Sequence, residues 1–168
     1  MRRVMNNYIE VGKIINTFGI KGELKIASDF EYKDRIFIKD FPVYIGELKE
    51  KELINSHRLH KNYDLTTFQN YTNINEVLKY KGKKVYVERK DLHLGSNEYL
   101  LNDLIGFEVY DEDKLLGIVI DYEMTPNSVL LKVRGRKTFY LPKIEVYIKN
   151  IDKLNKKIIT DKGRELII

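Results

Sequence analysis

Over most of the chain apolar and polar residues alternate with a period of two, the pattern of strands buried on one face. In "YIEVGKII" Ile9, Val11 and Ile15 fall on one face, and in "ELKIAS" Leu24 and Ile26 do, so the two segments read as a pair of strands. Further strands are predicted at "PVYIGE" (42–47), "KELINSHRL" (51–59), "YDLTTFQ" (63–69) and "KKVYVE" (83–88), where Tyr, Val, Ile, Thr and Phe supply the β-favouring side chains. The spacing predicts one helix, "NINEVLKYKG", of about two turns. Asn73 caps it, Glu76 three residues on reaches back to close a capping box, and Gly82 ends it.

The polar stretch His93-Leu94-Gly95-Ser96-Asn97 has no periodicity and reads as a linker. Strands resume in "GFEVYD", "LLGIVIDYEM", "SVLLKVR", "TFYLP" and "KKIITD", joined by turn-like segments at 111–114, 125–127 and 135–137. Many short strands at close turn spacing predict small barrels or sandwiches. The expected architecture is mostly β: two small β-barrel domains, 6–92 and 98–168, joined by the short linker 93–97, with one short helix near the end of the first.

The opening pair of strands is joined by Gly19-Ile20-Lys21-Gly22. A basic G-x-x-G is the spacing with which KH domains clamp an RNA backbone, but there the loop joins two helices and here strand patterns lie on both sides. No Walker loop aligns to it. A hairpin with Gly19 and Gly22 at positive φ is the local reading. Such a turn is compatible with a surface contact, since Lys13, Lys21 and Lys25 stand near Phe18 and together make a candidate basic and aromatic patch for nucleic acid.

Charge sharpens that picture. The formal net charge of +5 lies entirely in residues 1–97, with 18 Lys and Arg against 13 Asp and Glu, while 98–168 carry 12 of each. The split is what a phosphate-facing first half and a protein-facing second half would show, although plain solubility accounts for +5 as well. No apolar run approaches the roughly 20 residues of a membrane-spanning helix, so no membrane role is expected. The start, Met1 to Asn7, lacks the apolar core of a secretory leader, and the cytoplasm is the expected location.

The absence of cysteine excludes disulfides, thiolate metal sites and cysteine nucleophiles. His57 and His60 are three apart but sit in a strand pattern with no carboxylate at ligand spacing, so they read as ordinary surface histidines. Ser28, Ser56, Ser96 and Ser128 lack a nucleophile-elbow setting. No catalytic constellation, metal set or glycine-rich cofactor loop emerges, and no cofactor is expected. Directly after the linker, Tyr99, Leu100 and Leu101 either enter the second core or, where exposed, form an anchor for a protein partner.

Four segments in order carry a resemblance. "VGKIINTFGIKGELKI" (11–26) resembles the opening signature of the RimM family of ribosome maturation factors, and "VYVERKDL" (85–92) the end of its N-terminal barrel. "EYLLNDLIGFEVYDED" (98–113) is similar to the start of that family's PRC barrel and "YLPKIEVYIKNIDKLNKKIITD" (140–161) to its close. The resemblance implies a cytoplasmic, monomeric assembly factor without enzymatic activity. Such a factor binds the free small (30S) ribosomal subunit at its head, contacts the head protein numbered nineteen with rRNA nearby, and promotes late maturation including 16S rRNA processing. In the family an aromatic pair opening the PRC barrel is associated with the protein contact. Here Tyr99 fills the first position, while Leu100 and Leu101 replace aromatics, so the implied contact rests more on aliphatic burial. Phe18 stands where the signature commonly has histidine. The alternative reading is a general RNA-binding β-barrel module without preference for assembled subunits. An enzyme acting on RNA is a third class, and it has no support among the residues.

Overall fold

The computed structural model describes residues 7–168. Residues 1–6, on which most of the leader reading rests, lie outside the described residues. The chain divides into two units, through His93 and from Leu94 onward.

In the first unit six strands close into a barrel in the order β1-β2-β5-β4-β3-β6: β1 (Tyr8–Phe18), β2 (Glu23–Ala27), β3 (Pro42–Ile45), β4 (Glu50–His60), β5 (Tyr63–Phe68) and β6 (Lys84–Glu88). Closure removes the sheet edges and gathers Ile14, Leu24, Ile26, Ile54, Phe68 and Val85 into a fully buried core. Leu24 and Ile26 face inward as their alternation predicts. Ile15 does not: register shifts in β1 between Glu10 and Gly12 and between Ile14 and Asn16 each insert a residue, so Ile14 takes the inner position and Ile15 turns outward.

Helix α2 (Ile74–Val77) continues into a 3₁₀ turn at Leu78–Tyr80 and starts on the predicted capping box. The Glu76 backbone N–H donates to Asn73 Oδ1 at 3.3 Å, and the Asn73 N–H donates to Glu76 Oε1 at 3.2 Å. Beyond it Tyr80 is fully buried, and its hydroxyl donates to Glu52 at 2.6 Å and Glu50 at 3.0 Å. Burial, reinforced by those acceptors, raises the phenol far above its ordinary pKa. A second helical turn, α1 (Lys33–Ile36), was not legible because four residues without a side-chain cap carry no periodic signal. It buries Ile36 and leads into buried Phe37.

The second unit is a six-stranded sheet in the order β10-β9-β8-β7-β12-β11. Its strands are β7 (Glu108–Asp111), β8 (Lys114–Met124), β9 (Val129–Arg134), β10 (Thr138–Pro142), β11 (Ile148–Asp152) and β12 (Lys157–Thr160). Strand β11, "IKNID", escapes the alternation rule because it lies at the end of the sheet with mostly polar, partly exposed residues. β7 and β12 pair in parallel, with Val109 opposite Ile158, and both side chains enter a core with Leu104, Val133, Phe139 and Leu141.

Candidate nucleic-acid interface

The β1–β2 turn is braced at its base and open at its tip. Gly19 and Gly22 have φ of +68° and +91°, a region that L-residues rarely adopt. The Ile20 carbonyl accepts from the Ile74 N–H at 2.9 Å, which ties the turn to the start of α2. Gly22 is buried against the 71–73 segment, whereas Lys21 is exposed and Ile20 is 75% exposed.

Register on β1, β2, β5 and β4 collects a set of side chains on the outer face. Phe18 lies opposite Glu23, Lys25 opposite both Asn16 and Leu65, Arg58 opposite Leu65, and His60 opposite Tyr63. The Phe18 ring contacts His60 with centroids 4.9 Å apart, and the Arg58 guanidinium sits 5.5 Å from the Phe18 centroid. Lys25 Nζ lies 4.1 Å over the Tyr63 ring. Arg58 grips Glu23 through two hydrogen bonds of 2.9 Å, and these hold the Glu23 carboxyl below its ordinary pKa. Arg58, His60 and Tyr63 join the patch only because β5 pairs with β2, which no local pattern in the sequence announces.

Lys13 belongs to the same outer face. It stands opposite Ala27, two residues from Lys25, and on its other side opposite Lys84 of β6. Two lysines directly opposite each other repel. Lys84 has Glu10 at 3.5 Å, Lys21 is close enough to Glu23 to help lower its pKa, and Lys13 makes no ion pair among the described residues. The outcome is a positive band across β6, β1 and β2, with aromatic rings at the end nearest the turn, the combination that takes a phosphate backbone and unstacked bases.

His57 and His60 fall on opposite faces of β4, so they do not converge on a shared ligand. His57 is also no ordinary surface histidine. Its Nε2 is 2.7 Å from Asp64 Oδ1, and its ring stacks on Phe37 at 5.2 Å. Lys33 Nζ donates to Asp64 Oδ2 at 2.8 Å, so a carboxylate only 1% exposed is held between the lysine ammonium and the His57 ring. Among the described residues no group of three or more His, Asp or Glu side chains is arranged to hold a metal.

In the second unit Tyr99 is half-buried against the core and lines a concavity of about 640 Å³ with Ile148, Asn150, Ile151 and Leu154. Lys143 Nζ lies 5.2 Å from its ring centroid. Leu100 and Leu101 are 3% and 6% exposed, so they take the core alternative and offer no surface for a partner. The expected linker is held down: Lys153 Nζ donates to the Ser96 carbonyl at 3.1 Å and to the Glu98 carbonyl.

Comparison with known proteins places these elements in a lineage. The model of the RimM N-terminal domain matches residues 9–92, and that of the RimM PRC barrel domain matches residues 101–166. A ribosome maturation factor RimM of Staphylococcus haemolyticus is 37% identical over 155 residues, which cover 89% of this chain and 93% of the relative. Its counterpart in Staphylococcus aureus is 36% identical over 156 residues, covering 90% and 93%. Among solved structures, a crystal structure described as a 16S ribosomal RNA processing protein RimM of Pseudomonas aeruginosa aligns with a TM-score of 0.48 at 20% identity, covering 95% of this chain and 99% of that one.

Proposed function

The chain belongs to the RimM family, and on that premise we propose that it is a ribosome assembly factor that binds the free small (30S) subunit, with a part in late maturation of the subunit head and in 16S rRNA processing. The observation that carries this reading is the match to maturation factors along nearly the whole chain, with both domains in order. It acts by binding, as a cytoplasmic monomer, without turnover. No helix among the described residues is long and apolar enough to cross a membrane.

Two contacts divide the work. The band of Lys13, Lys21 and Lys25, with Phe18 displayed by the Gly19–Gly22 turn, meets rRNA through phosphate charge and ring stacking. Tyr99 and the concavity it lines meet a protein of the subunit head, the one numbered nineteen. Leu100 and Leu101, being buried, hold Tyr99 in place rather than touch the partner. Each contact raises the effective concentration of the other, so two modest affinities select a surface that presents both.

The test is co-sedimentation of the full chain with free small subunits, complete ribosomes and naked rRNA. Retention on free small subunits above the other two is expected, and equal retention on naked rRNA would establish the general RNA-binding module instead. Lys21→Gln with Lys25→Gln is expected to weaken subunit binding by about tenfold and to flatten its salt dependence. An unaltered salt slope would remove the turn from the interface. Tyr99→Ala is expected to weaken subunit binding by about tenfold, about 1.4 kcal/mol and so within the minority of interface residues whose truncation costs more than about 1 kcal/mol, while hydrogen exchange in the first unit stays as in the wild type. Normal retention of that variant would sink the Tyr99 contact.

A further inference from the structure

The zero net charge of the second half conceals a local segregation. Where β8 meets β9 and the β9–β10 turn, a concavity of about 460 Å³ is lined by Lys114, Arg134, Arg136 and Lys137, and no carboxylate lines it. Leu115 and Ile118, 51% and 45% exposed, give it apolar walls. Lys114, Arg134 and Arg136 have no acidic partner among the described residues, and Lys137 Nζ donates to the main-chain oxygen of Ile168 at 3.2 Å. Three of the neighbouring acids are engaged elsewhere: Asp111, opposite Lys114, accepts from Arg164, Glu108, opposite Ile118, accepts from the Tyr110 hydroxyl, and Glu112 lies 3.6 Å from Arg164.

Backbone geometry makes the hollow. A Cβ on Gly135 would stand 2.0 Å from the Leu116 carbonyl oxygen, and one on Gly117 would stand 2.5 Å from that of Arg134. Main chain therefore touches main chain at this crossing, and with no side chain to fill it the floor lies below walls that carry the cations.

We propose that this basin binds a single-stranded segment of RNA, with phosphates on Arg134, Arg136 and Lys114 and the face of a base against Leu115 and Ile118. The inference rests on the reading that the chain acts on the small subunit, and it adds an RNA contact in the unit otherwise given to protein. A nucleic-acid single strand places a charge at every nucleotide and a flat, largely apolar base between charges, which fits cations set around an apolar wall. Arginine forks match phosphate oxygens two at a time and stack on bases as well. A run of acidic side chains would satisfy the cations but offers no flat apolar face to Leu115 and Ile118.

Fluorescence anisotropy of a labelled mixed-sequence single-stranded RNA of about 12 nucleotides, titrated with the full chain at two salt concentrations, tests the basin. Arg134→Gln with Arg136→Gln is expected to cost about tenfold in affinity and to lower the salt slope by about 1.4, at roughly 0.7 per phosphate contact on a single strand. Photo-cross-linking of a thiouridine-substituted RNA to the wild-type chain is expected to mark 114–118 and 134–137. Unaltered affinity and slope in the double variant, or cross-links confined to the first unit, would overturn the proposal. So would equal competition by poly-glutamate of matched charge, which would make the basin an acidic-protein site. Failure of the maturation reading shows separately, as loss of preference for free small subunits, and leaves the anisotropy result standing.

Discussion

Lys33→Met is expected to lower the opening free energy of the first unit by about 3 kcal/mol, because it strips the lysine ammonium from the buried Asp64 carboxylate and leaves only the His57 ring as a side-chain partner. Removing one member of a buried pair leaves a charge with too few compensating bonds, and such changes cost about 3–5 kcal/mol. The lower end applies here, since His57 remains at 2.7 Å and the Lys33 side chain is itself 32% exposed. Amide hydrogen exchange of Ile14, Leu24 and Phe68 in the full chain reads this opening without interference from the second unit. Adding Asp64→Asn to Lys33→Met is expected to return part of the loss, because the neutral amide needs no counter-charge. A loss below about 1 kcal/mol for Lys33→Met, or no recovery in the double variant, would show that His57 and the barrel walls hold the carboxylate unaided.

This cluster bears on the proposed RNA contact through position. Asp64 and Tyr63 are neighbours on β5, and Tyr63 carries Lys25 on the outer face while Asp64 ties α1 and β4 on the inner one. Loosening the inner anchor would release the strand on which the outer patch is registered. Lys33→Met is therefore predicted to weaken the proposed RNA contact of the first unit without removing any group assigned to it.

How much of this was legible in the sequence depends on the range of the signal. The Asn73–Glu76 box, the inward pair Leu24 and Ile26, and the glycine turn depend on neighbours within a few residues, and each stands where the pattern predicts. Ile15 was misplaced because a bulge shifts the parity of a strand and leaves no mark in the alternation itself. Arg58, His60 and Tyr63 were missed because their place beside Phe18 depends on which strands pair around the barrel. The basin at Gly117 and Gly135 was missed for a different reason. Summing charge over half the chain cancels Arg134, Arg136 and Lys137 against acids that face elsewhere, and only register reveals the separation. Tyr99, Leu100 and Leu101 were read as one anchor with two possible fates, and burial divides them.

Asp111→Ala is expected to destabilise the second unit by about 2 kcal/mol near neutral pH and to cost progressively less as the solution is acidified. Asp111 is 3% exposed and accepts from Arg164 twice, from Nε at 2.8 Å and from the backbone N–H at 3.0 Å. These bonds join β7 to the 3₁₀ turn Gly163–Leu166, which follows β12. The Arg164 side chain, more than burial opposes it, holds the Asp111 carboxyl below its usual pKa. A group whose folded pKa is depressed contributes stability that is fully present above its unfolded value, about 3.9 for Asp, and that disappears as pH falls through the lower folded value. The wild type and the variant therefore converge only on the acid side of about pH 4, with no change in their difference between pH 5 and 8. Exchange of the Val109 and Leu131 amides in the full chain, compared at pH 7 and at about pH 3, measures that difference. A difference that stays constant into acid would mean that Asp111 acts through packing alone. One that shrinks between pH 8 and 5 would assign the linkage to another group.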